Sequence, residues 1–301
     1  MSVPKELEKA GRVAYEALKL ALDVVREGEL YLEIAETIER FILMQGAAPA
    51  FPVNISVNDV AAHYSPGVED PARIPPGSLV KVDVGVHVDG FIADAAISIS
   101  FDKRWENLVR ASRSALASAL QRLRHTVPVN EVARAIEVTI RGLGYNPVRN
   151  LTGHKIERYN LHAGKSLPNV PALEYSAVKV LAGEVYAVEP FATPGRGIVV
   201  ERGPSNIYRV VSVRRIPKDE GLNALLEELW KRYKGLPFSE RWLHREGFSL
   251  RELERLVKAG RVYHYPRLVE ASGGYVSQYE DTAVVSENGC FPLVHVLELE
   301  S

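Results

Sequence analysis

Residues 81–100 read KVDVGVHVDGFIADAAISIS, and this stretch decides the fold. Two runs rich in β-branched and small apolar residues, 79–88 and 91–100, predict a pair of strands. Between them lies Asp89-Gly90, a dipeptide typical of the tight turn that joins two antiparallel strands. The segment therefore predicts a long β-hairpin.

The register of this hairpin brings two carboxylates together. With the turn centred on the Asp-Gly pair, Gly85 lies opposite Asp94, and Asp83 projects from the same face. The other face is almost entirely Val and Ala and suits a core. Two neighbouring carboxylates on an apolar hairpin repel each other and resist desolvation, and a divalent cation would relieve both costs. The alternative, a solvated outer face, is the more common explanation for an isolated Asp pair.

Three more residues of metal-binding type lie far away in the sequence. Glu189 falls within VYAVEPF (185–191), a run that predicts a buried strand, and buried carboxylates are rare unless paired or metal-bound. Glu280 lies in a second β-like run, and His154 in a glycine-bracketed loop. A single histidine in a loop is more often a surface residue than a metal ligand. The evidence for a metal site is therefore the joint presence of these three residues with the hairpin carboxylates. Carboxylates with one imidazole favour Mn, Fe, Co or Zn, and pairs of such ions are typical of hydrolases.

Composition narrows the class of protein. A chain of 301 residues with 46% hydrophobic and 25% charged residues suits one large domain, or one domain with an insertion. The formal net charge of -1 argues against a specific nucleic-acid partner. The single cysteine excludes an internal disulfide framework. With neither a signal-peptide-like start nor an apolar run of about 18 residues, we expect a cytoplasmic protein with no membrane partner.

The remaining periodicity divides the chain into two parts. Apolar residues at helical spacing predict helices over 4–27, 30–45, 104–124, 129–142, 221–234 and 249–259. Asn130 is a candidate cap for the fourth of these helices. We expect an α+β domain formed by 1–194 and 263–301, interrupted by a helical, winged-helix-like insertion over 195–262.

Five segments resemble type 2 methionine aminopeptidases, the archaeal–eukaryotic branch of peptidase family M24. They are AFPVNISVNDVAAHYSP (50–66), KVDVGVHVDGFIADAA (81–96), GHKIERYNLHAGKSLPNV (153–170), VYAVEPFAT (185–193) and QYEDT (278–282). They occur in family order across nearly the whole chain, whereas the hairpin motif alone would be shared with proline-specific relatives. The resemblance implies the pita-bread fold. Absence of a long charged N-terminal extension, together with scarce glutamine, favours an archaeal, thermophilic form.

The resemblance also implies an activity and its cofactors. We expect an exopeptidase that removes the initiator methionine from nascent polypeptides and prefers a small second residue. Catalysis would use a hydroxide bridging two divalent metal ions (Co, Mn, Fe or Zn). The ligands carried over from the family motif are Asp83, Asp94, His154, Glu189 and Glu280.

Further residues carry over to catalysis and substrate binding. His63 and His162 would position the substrate and handle protons, and Glu189 would relay a proton to the leaving amine. Phe51, Leu161 and Tyr265 match positions near the methionine pocket, together with the two histidines. A monomer is expected, with transient association with the ribosome.

Two alternatives stay open at this point. A prolidase-like aminopeptidase shares the fold, but such relatives carry a large N-terminal domain, for which the chain leaves no room before Asp83. A catalytically inactive pita-bread relative that binds the ribosome or RNA would have lost metal ligands, and here all five are present. Basic residues in the insertion are interleaved with glutamates, which favours a solvated surface over a nucleic-acid face.

Overall fold

The structure is a computed structural model that describes residues 3–299. Its α-helices in this part of the chain are α1 (Lys5–Val24), α2 (Tyr31–Met44), α3 (Glu106–Arg122), α4 (Val129–Gly142), α5 (Glu220–Tyr233), α6 (Glu240–Arg245) and α7 (Leu250–Lys258). Within residues 3–299 no helix combines the length and the apolar character needed to cross a membrane.

Short strands alternate with a few long ones. The strands are β1 (Ala48–Pro49), β2 (Asn54–Val57), β3 (Val60–Ala62), β4 (Leu79–Val88), β5 (Phe91–Ser100), β6 (Asn146–Pro147), β7 (Thr152–Ile156), β8 (Ser166–Pro168), β9 (Val185–Val188), β10 (Phe191–Thr193), β11 (Val199–Val210), β12 (Phe238–Ser239), β13 (Val262–Glu270), β14 (Ser277–Gln278), β15 (Asp281–Val285) and β16 (Cys290–Pro292).

The predicted hairpin is present with the predicted register. Strands β4 and β5 pair so that Gly85 lies opposite Asp94 and Val88 opposite Phe91. Strands β1 and β2 add to the outer side of β4, and α1 packs on both hairpin strands. Most Val and Ala side chains of the apolar face, such as Val84 and Ala95, are fully buried. Their burial contributes to the hydrophobic stabilisation of this half of the molecule.

A second sheet and a second helix pair form the other half. The strand order is β16-β15-β9-β7-β8, and α3 and α4 pack against each other and against its strands. The two sheets are joined at β5: Ala96 forms a β-bridge with Glu280. Next to it, the Thr282 hydroxyl accepts from the Asp94 N–H (2.7 Å) and donates to the Asp94 carbonyl (2.8 Å). This junction fixes the hairpin carboxylates relative to the second sheet.

The insertion has its own apolar core. Helices α5, α6 and α7 pack on β11–β13, and buried residues between Tyr208 and Val262 form a separate hydrophobic cluster. The long antiparallel pair β11–β13 continues into the main body, where β13 also pairs with β3. We propose that 195–262 acts as a subdomain inserted into the body formed by 1–194 and 263–301.

Three local predictions are wrong. Asn130 does not cap α4, whose N-cap is Pro128; its amide instead bonds both the N–H and the carbonyl of Ala172. His154 lies on strand β7 rather than in a loop, because pairing with β8 and β9 extends the backbone there. The run IYRVVSVRRI (207–216) has a β-like pattern along its whole length, but β11 ends at Val210. The short helix α6 was not predicted from the sequence.

Candidate active site

One cavity of about 240 Å³ gathers all ten residues singled out from the sequence. They are Phe51, His63, Asp83, Asp94, His154, Leu161, His162, Glu189, Tyr265 and Glu280. The hairpin, β7, the end of β9, the start of β15 and β13 each contribute to its walls. Residues almost 200 positions apart in the chain thus share one small space.

Four carboxylates and one imidazole form the floor of this cavity. Nε2 of His154 lies 3.5 Å from Oε1 of Glu189 and 3.7 Å from Oδ2 of Asp94. Asp94, His154 and Glu280 each offer one ligand atom, and these three atoms lie within 4.8 Å of one another. Asp94 and Glu280 are buried, while Asp83 and Glu189 are partly exposed to the cavity. Such spacing suits groups that coordinate a shared cation.

The surroundings of the four carboxyl groups disfavour their charged forms. Burial raises the pKa of Asp83 to about 7. Burial, reinforced by repulsion from neighbouring carboxylates, raises the pKa of Asp94, Glu189 and Glu280 well above their ordinary values. Within residues 3–299 the basic side chain next to them is the imidazole of His154, and no lysine or arginine forms an ion pair with any of them. The protein therefore concentrates acidic groups without supplying a cation of its own.

The histidines differ in environment. Burial lowers the pKa of both His154 and His63 to about 4, so both are neutral at pH 7. His63 follows β3 in a left-handed backbone conformation (φ 60°), which is strained for a residue with a side chain and is common at functional sites. Its ring lies 5.4 Å from that of Tyr265. His162 is exposed, with its ring 4.3 Å from the His154 ring.

Known proteins resemble the chain along almost its entire length. Residues 5–287 match the model of Metallopeptidase family M24. The chain belongs to this family. It is 43% identical over 294 residues to "Methionine aminopeptidase" of Thermococcus kodakarensis, covering 97% of this chain and 99% of that protein. A relative of the same name from Saccharolobus solfataricus is 44% identical over 285 residues, 92% of each chain.

Solved structures agree on the fold of this M24 protein. The crystal structure of methionine aminopeptidase from Thermotoga maritima superposes with a TM-score of 0.70 at 22% identity, covering 97% of this chain and 98% of that one. The α+β pita-bread fold is thereby confirmed. Identity to the Thermococcus protein over nearly its full length places the chain among the methionine aminopeptidases of the family and does not favour the prolidase-like or the inactive alternative.

The donor set fits the divalent cations that define a metallopeptidase. Oδ1 of Asp83 and Oδ1 of Asp94 are buried, and neither has a hydrogen-bond partner among residues 3–299. A buried carboxylate oxygen without a donor is costly, and a hard or borderline divalent cation is the partner that such oxygens and a neutral imidazole would share. Asp94, His154 and Glu280 form the most compact part of this donor set.

Other residues of the cavity wall were not singled out from the sequence. They are Asn54, Ala62, Asn150, Leu151, Thr152, Phe191, Ile207, Pro237 and Gln278. For two of them, the position in the sequence could have predicted a place at the site. Gln278 lies two positions before Glu280 in a β-like run, and its Nε2 donates to Oε2 of Glu280 at 2.8 Å. Asn54 lies directly opposite Asp83 on the neighbouring strand. The others lie on short strands, in a loop or in the insertion, where no local pattern predicts which residues face the cavity.

Proposed function

We propose that this chain is a methionyl aminopeptidase that removes the initiator methionine from nascent polypeptides and prefers a small second residue. The observation that supports this most directly is the convergence of four carboxylates and the neutral His154 in a cavity to whose wall residues 3–299 contribute no lysine or arginine. The likeness to proteins named methionine aminopeptidase over nearly their full length supports the same substrate class.

We propose that Asp83, Asp94, His154, Glu189 and Glu280 hold two divalent ions, drawn from Co, Mn, Fe and Zn. The chemistry that such ions supply when bound is polarisation of the scissile carbonyl and a lower pKa for the attacking water. The neutral imidazole of His154 is already in the form that donates an electron pair. Gln278 orients Glu280 through its amide N–H, as outer hydrogen bonds do for metal-binding side chains.

The chain's own residues then position the peptide and move protons. Glu189, partly open to the cavity, carries a proton from the attacking water to the leaving amine. His63, neutral and held in a strained backbone conformation beside Tyr265, donates a hydrogen bond to the tetrahedral species or the leaving nitrogen. His162, exposed at the cavity, stabilises the developing oxyanion.

The apolar wall accepts the methionine side chain. Phe51 and Leu161 are buried in one apolar cluster, and Tyr265 faces the same cavity. A volume of about 240 Å³ is of the size that one amino-acid side chain needs, which suits a substrate that enters with its free end. We also propose that the chain acts in the cytoplasm as a monomer, in transient association with the ribosome.

A peptide assay tests the proposed function. Purified protein, stripped with a chelator and then supplied with Co²⁺ or Mn²⁺, is given Met-Ala-Ser, Leu-Ala-Ser and Ala-Pro peptides. We expect metal-dependent release of methionine from the first peptide and much slower release of leucine from the second. Preferred cleavage of Ala-Pro would indicate a prolidase-like enzyme. Salt-dependent RNA binding without any peptidase activity would indicate the binding-protein alternative.

A further inference from the structure

Gly85 lies directly against the ring of Phe51, a residue of the cavity wall. A Cβ atom placed on Gly85 would lie 2.2 Å from Cε1, 2.4 Å from Cδ1 and 2.8 Å from Cζ of Phe51. Carbon atoms without a bond between them do not approach so closely, since their optimal separation is about 3.5–4.0 Å. The ring of Phe51 therefore occupies the space that a side chain at position 85 would fill.

The backbone does not require glycine at this position. Gly85 lies in the middle of β4, in regular pairing with Asp94, and it is not among the glycines with positive φ. Gly90, in the hairpin turn, has a φ of 83° and does need its conformational freedom. Glycine inside a strand weakens it and marks a place where another group approaches closely. At Gly85 that group is the Phe51 ring.

Phe51 has little freedom to move away from the strand. The N–H of Ala50, the preceding residue, donates to the Gly85 carbonyl at 2.8 Å, and β1 just before it pairs with β4. On its other sides the ring belongs to a buried apolar cluster that includes Leu161 and Leu236. Since the strand and this cluster close off the other directions, a group added at Gly85 would push the ring into the cavity.

We propose that Gly85 is a positioning residue that sets the specificity of the site for its first amino acid. By lacking a side chain, it seats Phe51 deep enough to leave room for a long, unbranched residue of methionine size. Any added atom at position 85 shortens this slot and favours a smaller first residue. The inference rests on the proposed function, because it assigns the slot beside Phe51 to the methionine side chain.

The test compares Gly85→Ala with Gly142→Ala, a control at the end of α4 where an added Cβ meets nothing within 4 Å. We measure kcat/KM on Met-Ala-Ser and Ala-Ala-Ser, together with metal content. In Gly85→Ala the ratio of the two kcat/KM values should shift against methionine by about 10-fold or more, the scale of one methylene in an apolar pocket. Metal content should not change, and Gly142→Ala should behave as wild type.

A second substitution separates crowding from damage to the strand. Phe51→Val removes the ring atoms that a Cβ at Gly85 would meet, so Gly85→Ala/Phe51→Val should fold and move the ratio back toward wild type. A folded, metal-loaded Gly85→Ala with an unchanged ratio would overturn the inference, as would a loss that Phe51→Val does not reverse. If Gly85→Ala alone does not fold, failure of the double variant to fold would also overturn it. Inactivity of the wild type on Met-Ala-Ser would instead contradict the proposed function.

Discussion

Two of the regions that bury carboxylates, the junction at Glu39 and the cavity, treat the charge of these groups in opposite ways. Glu39 of α2 lies where the body meets the insertion, and it is paired with Arg241 of α6 through two hydrogen bonds of 2.6 and 2.8 Å. It also accepts from the indole N–H of Trp242 and the backbone N–H of Val53. Both oxygens of this carboxylate are satisfied, and its charge is cancelled within the protein.

The cavity is built in the other way. Its four carboxylates lie together with a neutral histidine, and two of their oxygens have no hydrogen-bond partner among residues 3–299. Mutual repulsion adds to burial in raising the pKa values of Asp94, Glu189 and Glu280. Glu39 is paired with an arginine, whereas within residues 3–299 no arginine pairs with the cavity carboxylates. The difference separates a structural ion pair, complete in itself, from a site that is completed by a cation from solution.

Glu270, a buried carboxylate in another region, shows that hydrogen bonds can satisfy such a group without an arginine. Glu270 accepts hydrogen bonds from the backbone N–H groups of Gly197, Ser272 and Gly274 and from the Ser272 hydroxyl. Although burial alone would raise its pKa, these hydrogen bonds outweigh that effect and leave it lowered. The unsatisfied state of the cavity carboxylates is thus a local property of the site.

The largest effect is expected from removing one cavity carboxylate. Asp94→Asn should lower turnover on Met-Ala-Ser by at least about 10⁴-fold, the scale for catalytic groups that act as a unit. Metal content, measured by plasma mass spectrometry, should fall with it. In chelator the variant should resist denaturant at least as well as wild type, because one of four mutually repelling carboxylates is gone. Full activity of metal-saturated Asp94→Asn would remove this residue from the metal site.

Removing the charge of Glu39 should lower the stability of the protein, whereas Asp94→Asn lowers turnover and metal content. Glu39→Gln leaves Arg241 charged and buried, and we expect a loss of about 3–5 kcal/mol in the free energy of unfolding. Denaturant titration measures this loss. The double variant Glu39→Met/Arg241→Met, which removes both charges, should recover part of it. A free energy of unfolding of Glu39→Gln within about 1 kcal/mol of wild type would mean that water already satisfies the charged group left by the substitution.

Part of the contrast between the cavity and the pair of Glu39 and Arg241 could be predicted from the sequence. The physical reasons differ from residue to residue. The hairpin register followed from period-two alternation and an Asp-Gly turn, so the neighbourhood of Asp83 and Asp94 was predictable. Glu189 stood out because it follows a run that had to be buried. The strand that carries His154 was missed, because five mixed residues between glycine-containing loops give no clear periodicity.

No pattern in the sequence predicted the pairing of Glu39 with Arg241. The two residues are separated by 202 positions, and each lies on a helix whose polar residues would ordinarily be read as solvent-facing. Only the docking of the insertion brings them together. The same holds for Pro237 and Ile207, which reach the cavity from the insertion side. Contacts between separately folded elements depend on tertiary packing, which local patterns do not encode.

Metal binding in the cavity should stabilise the protein independently of the ion pair between Glu39 and Arg241. At a Mn²⁺ concentration of about 100 times Kd, the free energy of unfolding should rise by about 2.7 kcal/mol by mass action. We expect Glu39→Gln to keep this increment, since the cation binds elsewhere, and Asp94→Asn to lose it. Urea titrations with Mn²⁺ and with chelator measure the increments. Equal increments in wild type and Asp94→Asn would place the stabilising cation outside the cavity.

The smallest effect is expected at an ion pair that water reaches. Arg141 and Glu137, one turn apart on α4, approach to 2.9 Å but remain substantially exposed. Glu137→Gln should cost no more than about 0.5 kcal/mol in the free energy of unfolding, and added salt should shrink even that difference. Turnover and metal content should match wild type. Because the pair resembles that of Glu39 and Arg241 in distance, a loss near that of Glu39→Gln would show that contact distance, rather than burial, governs the strength of ion pairs in this protein.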